Sequence, residues 1–347
     1  MASFAVDAYV PAVKFGLFTG ALRRRSRSYE NLYDGFVDYV VRAERLGFES
    51  VFLVEHHFTG LGDVGASLTL LSHLAAHTTT IRLGTAVTVL PWHVPTLLAE
   101  QAATVDVVSG GRLEFGVGRG YRPNEFHGFH VDAEEARSRY EETLDVVLKA
   151  WTSADRFSYD GRFWQFRDVV VEPRPIQEPH PPIWVAAGSE GSVTEAAVRG
   201  YRLLLDAFAA VDAIGQRVEW FRAACDSAGR TYDPQHIALT RGLALVDTDD
   251  PEVRARQLAQ RIETIGELAS SSRIPGSERA LTGADHAFFE QSSDTVEAAV
   301  VIGTPEECIA RLSAFRAVGI EYVLFNDIWG GVERLQLFAD EVMPALR

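Results

Sequence analysis

An alternation constrains this chain more than any single motif does. Short runs rich in β-branched and aromatic residues recur along it, each followed closely by a segment whose apolar residues return every three or four positions. Strand patterns stand at 13–18, 50–54, 82–90, 113–117, 183–187, 203–207, 237–246 and 322–326. Helical patterns lie at 29–47, 68–77, 96–109, 132–151, 192–200, 213–228, 251–268 and 303–319, with a closing helix at 333–343. Strands joined through helices by short connections run parallel. Eight such units predict an α/β fold of one kind, a single (β/α)₈ TIM-like barrel. The rival, an open doubly wound sheet, gives no reason for eight. A barrel also collects the residues after every strand at one mouth, which would bring His56, Arg119 and Ser189 together.

At 347 residues the whole chain fits one barrel domain. Two stretches depart from the alternation. Residues 152–182 read as an excursion, a hairpin turning at Asp160-Gly161 followed by a proline-rich passage. Residues 269–295 are rich in Ser, Gly and charge with weak periodicity, and are expected to form a long mobile loop that serves as a lid.

Composition removes several classes of function. A net charge of −15 without a basic run disfavours nucleic acid. The first 14 residues lack the charged and apolar blocks of a signal peptide, and no run of about 18 apolar residues exists for a membrane span. Cys225 and Cys308 stand far apart with no C-x-x-C spacing, so neither zinc nor a disulfide framework is implied, and a reducing cytoplasmic compartment is expected. Lys14 and Lys149 are the only lysines against 31 arginines, which leaves little room for Schiff-base chemistry.

The richest stretch is GRLEFGVGRGYRPNEF at 111–126. Arg119, between Gly118 and Gly120 at a strand end, suits an anion because glycines admit close approach and a guanidinium grips phosphate through two bonds. The alternative is an ordinary surface turn. A dinucleotide fingerprint is disfavoured, since Pro123 and Asn124 fall where the helix should already run and the third glycine is absent. Arg23, Arg24 and Arg25 read as a solvated turn or as a contact to an anionic cofactor. Ser189 and Ser192 either cap the helix they begin or bind an anion at its positive end. After strand two comes Glu55-His56-His57; adjacent histidines point apart and no third ligand is evident, so no metal site is expected.

With these residues in view, the chain resembles the flavin-dependent luciferase-like monooxygenases, in particular the alpha subunit of bacterial luciferase. The resemblance rests on EHHFT at 55–59, GTAVTVLP at 84–91, GRLEFGVGRG at 111–120, VIGTPEECIA at 301–310 and EVMP at 341–344, five blocks in the same order and spacing. It implies a two-component monooxygenase in which FMN, delivered reduced by a separate flavin reductase, reacts with dioxygen to a 4a-hydroperoxide that oxygenates a small organic substrate. Arg119, Arg137, Ser189 and Ser192 match positions that hold the FMN phosphate. Glu55, Ala86, Val87, Tyr121 and Gly188 match positions around the ring system, with a non-proline cis peptide at Ala86-Val87. His56 is implied as the catalytic proton handler, while His57 stays open between that role and a structural one. A homodimer through the helices at 68–77 and 96–109 is further implied. Gly118 stands where luciferase has a cysteine and Gly188 where it has a glutamate, which sets light emission apart from the shared chemistry. Two other readings remain: a deazaflavin-dependent oxidoreductase in the same mouth, or a flavin-binding protein without catalysis.

Overall fold

The computed structural model describes residues 12–20, 33–61, 64–246, 250–274, 297, 299–326 and 331–347. Its first half contains β1 (Lys14–Thr19), α1 (Asp34–Arg45), β2 (Ser50–Leu53), α2 (Ser67–His77), β3 (Arg82–Thr85), β4 (Thr88–Val89), α3 (Pro95–Val108), β5 (Leu113–Gly118), α4 (Pro123–Gly128) and α5 (Ala136–Thr152). There follow β6 (Phe157–Asp160), β7 (Gln165–Val169), β8 (Ile183–Ala186), α6 (Glu190–Arg199), β9 (Arg202–Leu205), α7 (Val211–Ser227) and β10 (Ile237–Leu245). The last elements are α8 (Pro251–Ser271), β11 (Val300–Gly303), α9 (Pro305–Ala317), β12 (Tyr322–Asn326), α10 (Val332–Glu341) and α11 (Met343–Leu346).

Eight parallel strands close a ring in the order β1-β2-β3-β5-β8-β9-β10-β12, and β12 returns to β1 with Tyr322 opposite Lys14. These are the eight strands expected from the sequence, closed as a barrel. The period of two along each strand divides its side chains between two cores. Val51 and Leu53 of β2, Leu203 and Leu205 of β9, and Val323 and Phe325 of β12 join the layer under the helices. Their alternates Phe52, Leu204, Tyr322 and Leu324 instead fill the barrel, around Trp184. At the strand-start end, buried Glu114 is held by Arg82, by Arg202 at 3.0 Å and by the Trp184 indole at 2.6 Å. That end is a polar seal, and the opposite mouth is left to other uses.

The non-proline cis peptide expected at Ala86-Val87 is present. Other local features differ from expectation: the strand pattern of 82–90 is interrupted, with β3 ending at Thr85 and β4 resuming at Thr88. Residues 300–303 form β11, an added strand on β10 with Val300 opposite Gly242, where no strand was anticipated. A short helix not anticipated from the sequence, α4, begins at Pro123; proline fits the first turn because its missing N–H has no intrahelical acceptor there. The hairpin turns as expected at Asp160, with Tyr159 opposite Phe166 in β6 and β7. The arginines at 23–25 and, from residue 275 to 295, the expected lid lie outside the described residues.

Candidate active site

The C-terminal ends of the ring strands surround a cavity of about 470 Å³, within the roughly 300–1,000 Å³ of small-molecule and cofactor sites. Beyond β2 the chain delivers Glu55 and His56 to its wall, beyond β3 Ala86 and Val87, beyond β5 Arg119 and Tyr121, and beyond β8 Gly188. Glycine at 118 is required by this packing, because a Cβ there would collide with Val87 Cγ2. Gly188 is fixed from outside: Arg217 donates from Nε to its carbonyl at 3.0 Å and pairs with Asp206 at 2.6 Å.

Glu55 is 3% exposed and accepts on one oxygen from His93 at 2.9 Å, the Trp92 indole at 3.1 Å and His57 at 3.2 Å. Burial alone would raise its pKa, but the hydrogen bonds and charges of His57 and His93 outweigh it and hold the carboxyl down at about 2. Glu55 therefore acts as a fixed anion that orients three donors. His57 is enclosed by this contact and by the Phe129 ring at 4.8 Å, which gives it an anchoring place.

His56 faces a different carboxylate. Its Nδ1 lies 3.2 Å from Oε1 of Glu125, and the same oxygen accepts the His57 backbone N–H at 2.9 Å. Glu125 is 1% exposed. In the tautomer that carries its hydrogen on Nδ1, His56 donates to this Glu125 oxygen.

The phosphate candidates divide. Arg119 is exposed at the rim and has no hydrogen-bond or ion-pair partner among the described residues. Ser189 caps the ten-residue helix α6, its hydroxyl 2.8 Å from that of Ser192, with both outside the cavity wall. Arg137, also outside that wall, is largely exposed and pairs with Glu141 at 2.7 Å and with Glu195 of α6 at 3.8 Å. The pair with Glu195 puts the start of α5 beside the helix that Ser189 caps.

Sequence reasoning missed Glu125, Arg122, Trp92 and His93. Glu125 and Arg122 stood in the same GYRPNEF string, hidden by the reading of Pro123. Trp92 and His93 follow strand three, and that position after a barrel strand was the available signal. Among the described residues no cluster of three or more His, Cys, Asp or Glu is arranged for a metal ion, and no helix is long and apolar enough to cross a membrane.

Residues 13–322 match the family described as luciferase-like monooxygenase. The chain belongs to that family. A flavin-dependent trigonelline monooxygenase, oxygenase component, of Acinetobacter baylyi is 29% identical over 96% of this chain and 95% of its own length. An FMNH2-dependent dimethylsulfone monooxygenase of Pseudomonas putida is 27% identical over 98% of this chain and 94% of its own. A monooxygenase structure from Streptomyces bottropensis superimposes with a TM-score of 0.81 at 26% identity, covering 95% of this luciferase-like chain and 99% of its own.

Proposed function

We propose that this chain is the oxygenating component of a two-component, FMN-dependent monooxygenase acting on a small organic substrate, with a separate flavin reductase as partner. The observation that carries the reading is one juxtaposition: His56, held by buried Glu125, and the rim cation Arg119, unpartnered among the described residues, line the same cavity. The names of the trigonelline and dimethylsulfone relatives support it.

The cavity fits the cofactor on its own terms. Arg119 offers a guanidinium to a phosphate at the rim, with the start of α6 beyond the wall, and the glycine at 118 leaves room for the Val87 side chain in that wall. Ala86, Val87, Tyr121, Gly188 and Glu55 are assigned to the ring system, and Arg119, Ser189, Ser192 and Arg137 to the phosphate end. Reduced FMN, when bound, supplies the electrons that activate dioxygen. His56 then holds or returns a proton at Nε2, with Glu125 fixing its tautomer. The apolar walls exclude water from that exchange.

Anaerobic loading with reduced FMN, followed by air and a panel of small substrates, tests the reading. Oxygenated product with one oxygen atom from dioxygen is expected. Tight FMN binding without turnover would favour a binding protein, and hydride exchange with a deazaflavin but none with FMN would favour the oxidoreductase. The phosphate assignment has its own check. Arg119→Ala should weaken FMN by roughly 1.5–3 kcal/mol, the worth of a charged hydrogen bond, and leave riboflavin nearly unchanged. Equal losses for both ligands would place Arg119 elsewhere.

A further inference from the structure

Most described histidines have a polar partner. His56 faces Glu125, His57 and His93 share Glu55, His236 lies 3.5 Å from Asp233, and Nδ1 of His180 is 2.8 Å from the Pro181 carbonyl. Two others face each other instead. His73 and His77 stand one turn apart on α2, both exposed, with ring centroids 4.7 Å apart and planes at 66°. Neither has a hydrogen-bond or ion-pair partner among the described residues. His127 and His130 are nearly as close in sequence, but His130, at φ 55°, lies beyond the end of α4.

The backbone fixes that spacing. Residues four apart on a helix place their Cβ atoms about 5–6 Å apart on one face. The opposite face of α2 is anchored by buried Leu70, Leu71 and Leu74, so the two rings cannot separate far without moving the helix. With metal–nitrogen bonds of about 2.0–2.1 Å, two imidazoles sharing an ion at right-angled to tetrahedral geometry have centroids roughly 4.5–5.2 Å apart. The observed 4.7 Å falls inside that interval, and exposed rings are free to turn a nitrogen toward the shared point. Ring packing alone would account for the distance but would leave a lone pair of each neutral imidazole unused.

We infer that His73 and His77 bind one divalent transition-metal ion between them, through one nitrogen of each ring, with water in the remaining positions. Imidazole suits Cu(II), Ni(II) and Zn(II), whereas Mg(II) and Ca(II) want oxygen ligands, and Cu(II) is held most tightly. No third His, Cys, Asp or Glu joins the pair among the described residues, so the ion exchanges with solvent and the fold does not depend on it. In the H-E-x-x-H arrangement of metalloproteases a glutamate general base follows the first histidine. Leu74 stands in that place here, so the site binds a metal and offers no hydrolytic base. The inference is independent of the oxygenase reading of the cavity.

The test uses the untagged protein, freed of metal with EDTA, beside His73→Gln and His77→Gln. CuCl2, NiCl2, ZnCl2 and MgCl2 are titrated calorimetrically into each. The wild type is expected to take one Cu(II) per chain at this site, more tightly than Ni(II) or Zn(II), and no Mg(II). Either substitution should weaken Cu(II) by at least roughly tenfold, the low end of what losing even an outer partner of a metal ligand costs. The metal-free melting temperature should not change, since both rings are exposed. Cu(II) bound as tightly by either variant as by the wild type overturns the inference, because the ion then sits elsewhere. A wild type that takes up none overturns it too, including the case in which a paired copy covers the rings. Electron paramagnetic resonance of the wild type with one equivalent of Cu(II) gives a check that needs no variant. Two imidazole nitrogens on the ion are expected, and any other count overturns the pair.

Discussion

Glu55 accepts from His57, His93 and Trp92 on one oxygen, and the effect of those contacts has a defined pH signature. Its folded pKa of about 2 lies below the ordinary 4.5. The stability it contributes is therefore complete above pH 4.5 and drains away as the pH falls toward 2. A shift of this size is worth on the order of 3 kcal/mol. Glu55→Gln should lower the melting temperature at pH 7, and the gap to wild type should narrow at pH 3, as differential scanning calorimetry would record. His56 answers to a different measurement. His56→Ala should leave FMN affinity nearly intact and cut oxygenated product by ~10²–10⁴-fold, the range of general acid–base contributions. Oxygen uptake should continue, with hydrogen peroxide in place of product; undiminished product would make His56 structural. His56 was legible because it follows a strand in a barrel. Glu125 was not, since its role depends on a partner 69 residues away that only the closed ring brings within reach.

Among the elements, strands such as β2, β9 and β12 were readable because they alternate apolar residues between two hydrophobic layers, and a surface strand would not. The missed pieces gave weak local signals: β11 spans four residues after a stretch of weak periodicity, and α4 is a six-residue helix that opens on a proline. The break after β3 was expected only through family resemblance, as the residues of 82–90 read as an uninterrupted strand. The close approach of β3 and β5 makes a further test. A Cβ at Gly116 would run into the Thr85 carbonyl, backbone against backbone, while Thr85 donates to the Gly116 carbonyl at 2.6 Å. Overpacking at rigid sites typically costs about 1–3 kcal/mol, so Gly116→Ala should lower the melting temperature by several degrees. An unchanged melting temperature would show that β3 and β5 can separate.

At the scale of the whole molecule, α3 presents Leu97 at 51% exposure and Val108 at 55%, with Val94 before it at 44%. Apolar residues gathered on one helix face suit a protein contact, and we propose that two copies pair through α2 and α3. Sedimentation at micromolar concentration should give twice the 38.3 kDa chain mass. Leu97→Glu with Val108→Glu should give single chains that still bind FMN. The ring itself sets the timing of synthesis. Because β1 finds one of its neighbours in β12, more than 300 residues later, a nascent chain carries an unpaired sheet edge until residue 322 and those after it have been translated. Such edges recruit other strands. A ribosome that stops before residue 322 would release a sheet with two open sides, so premature termination shortly before β12 should yield aggregates and chaperone clients.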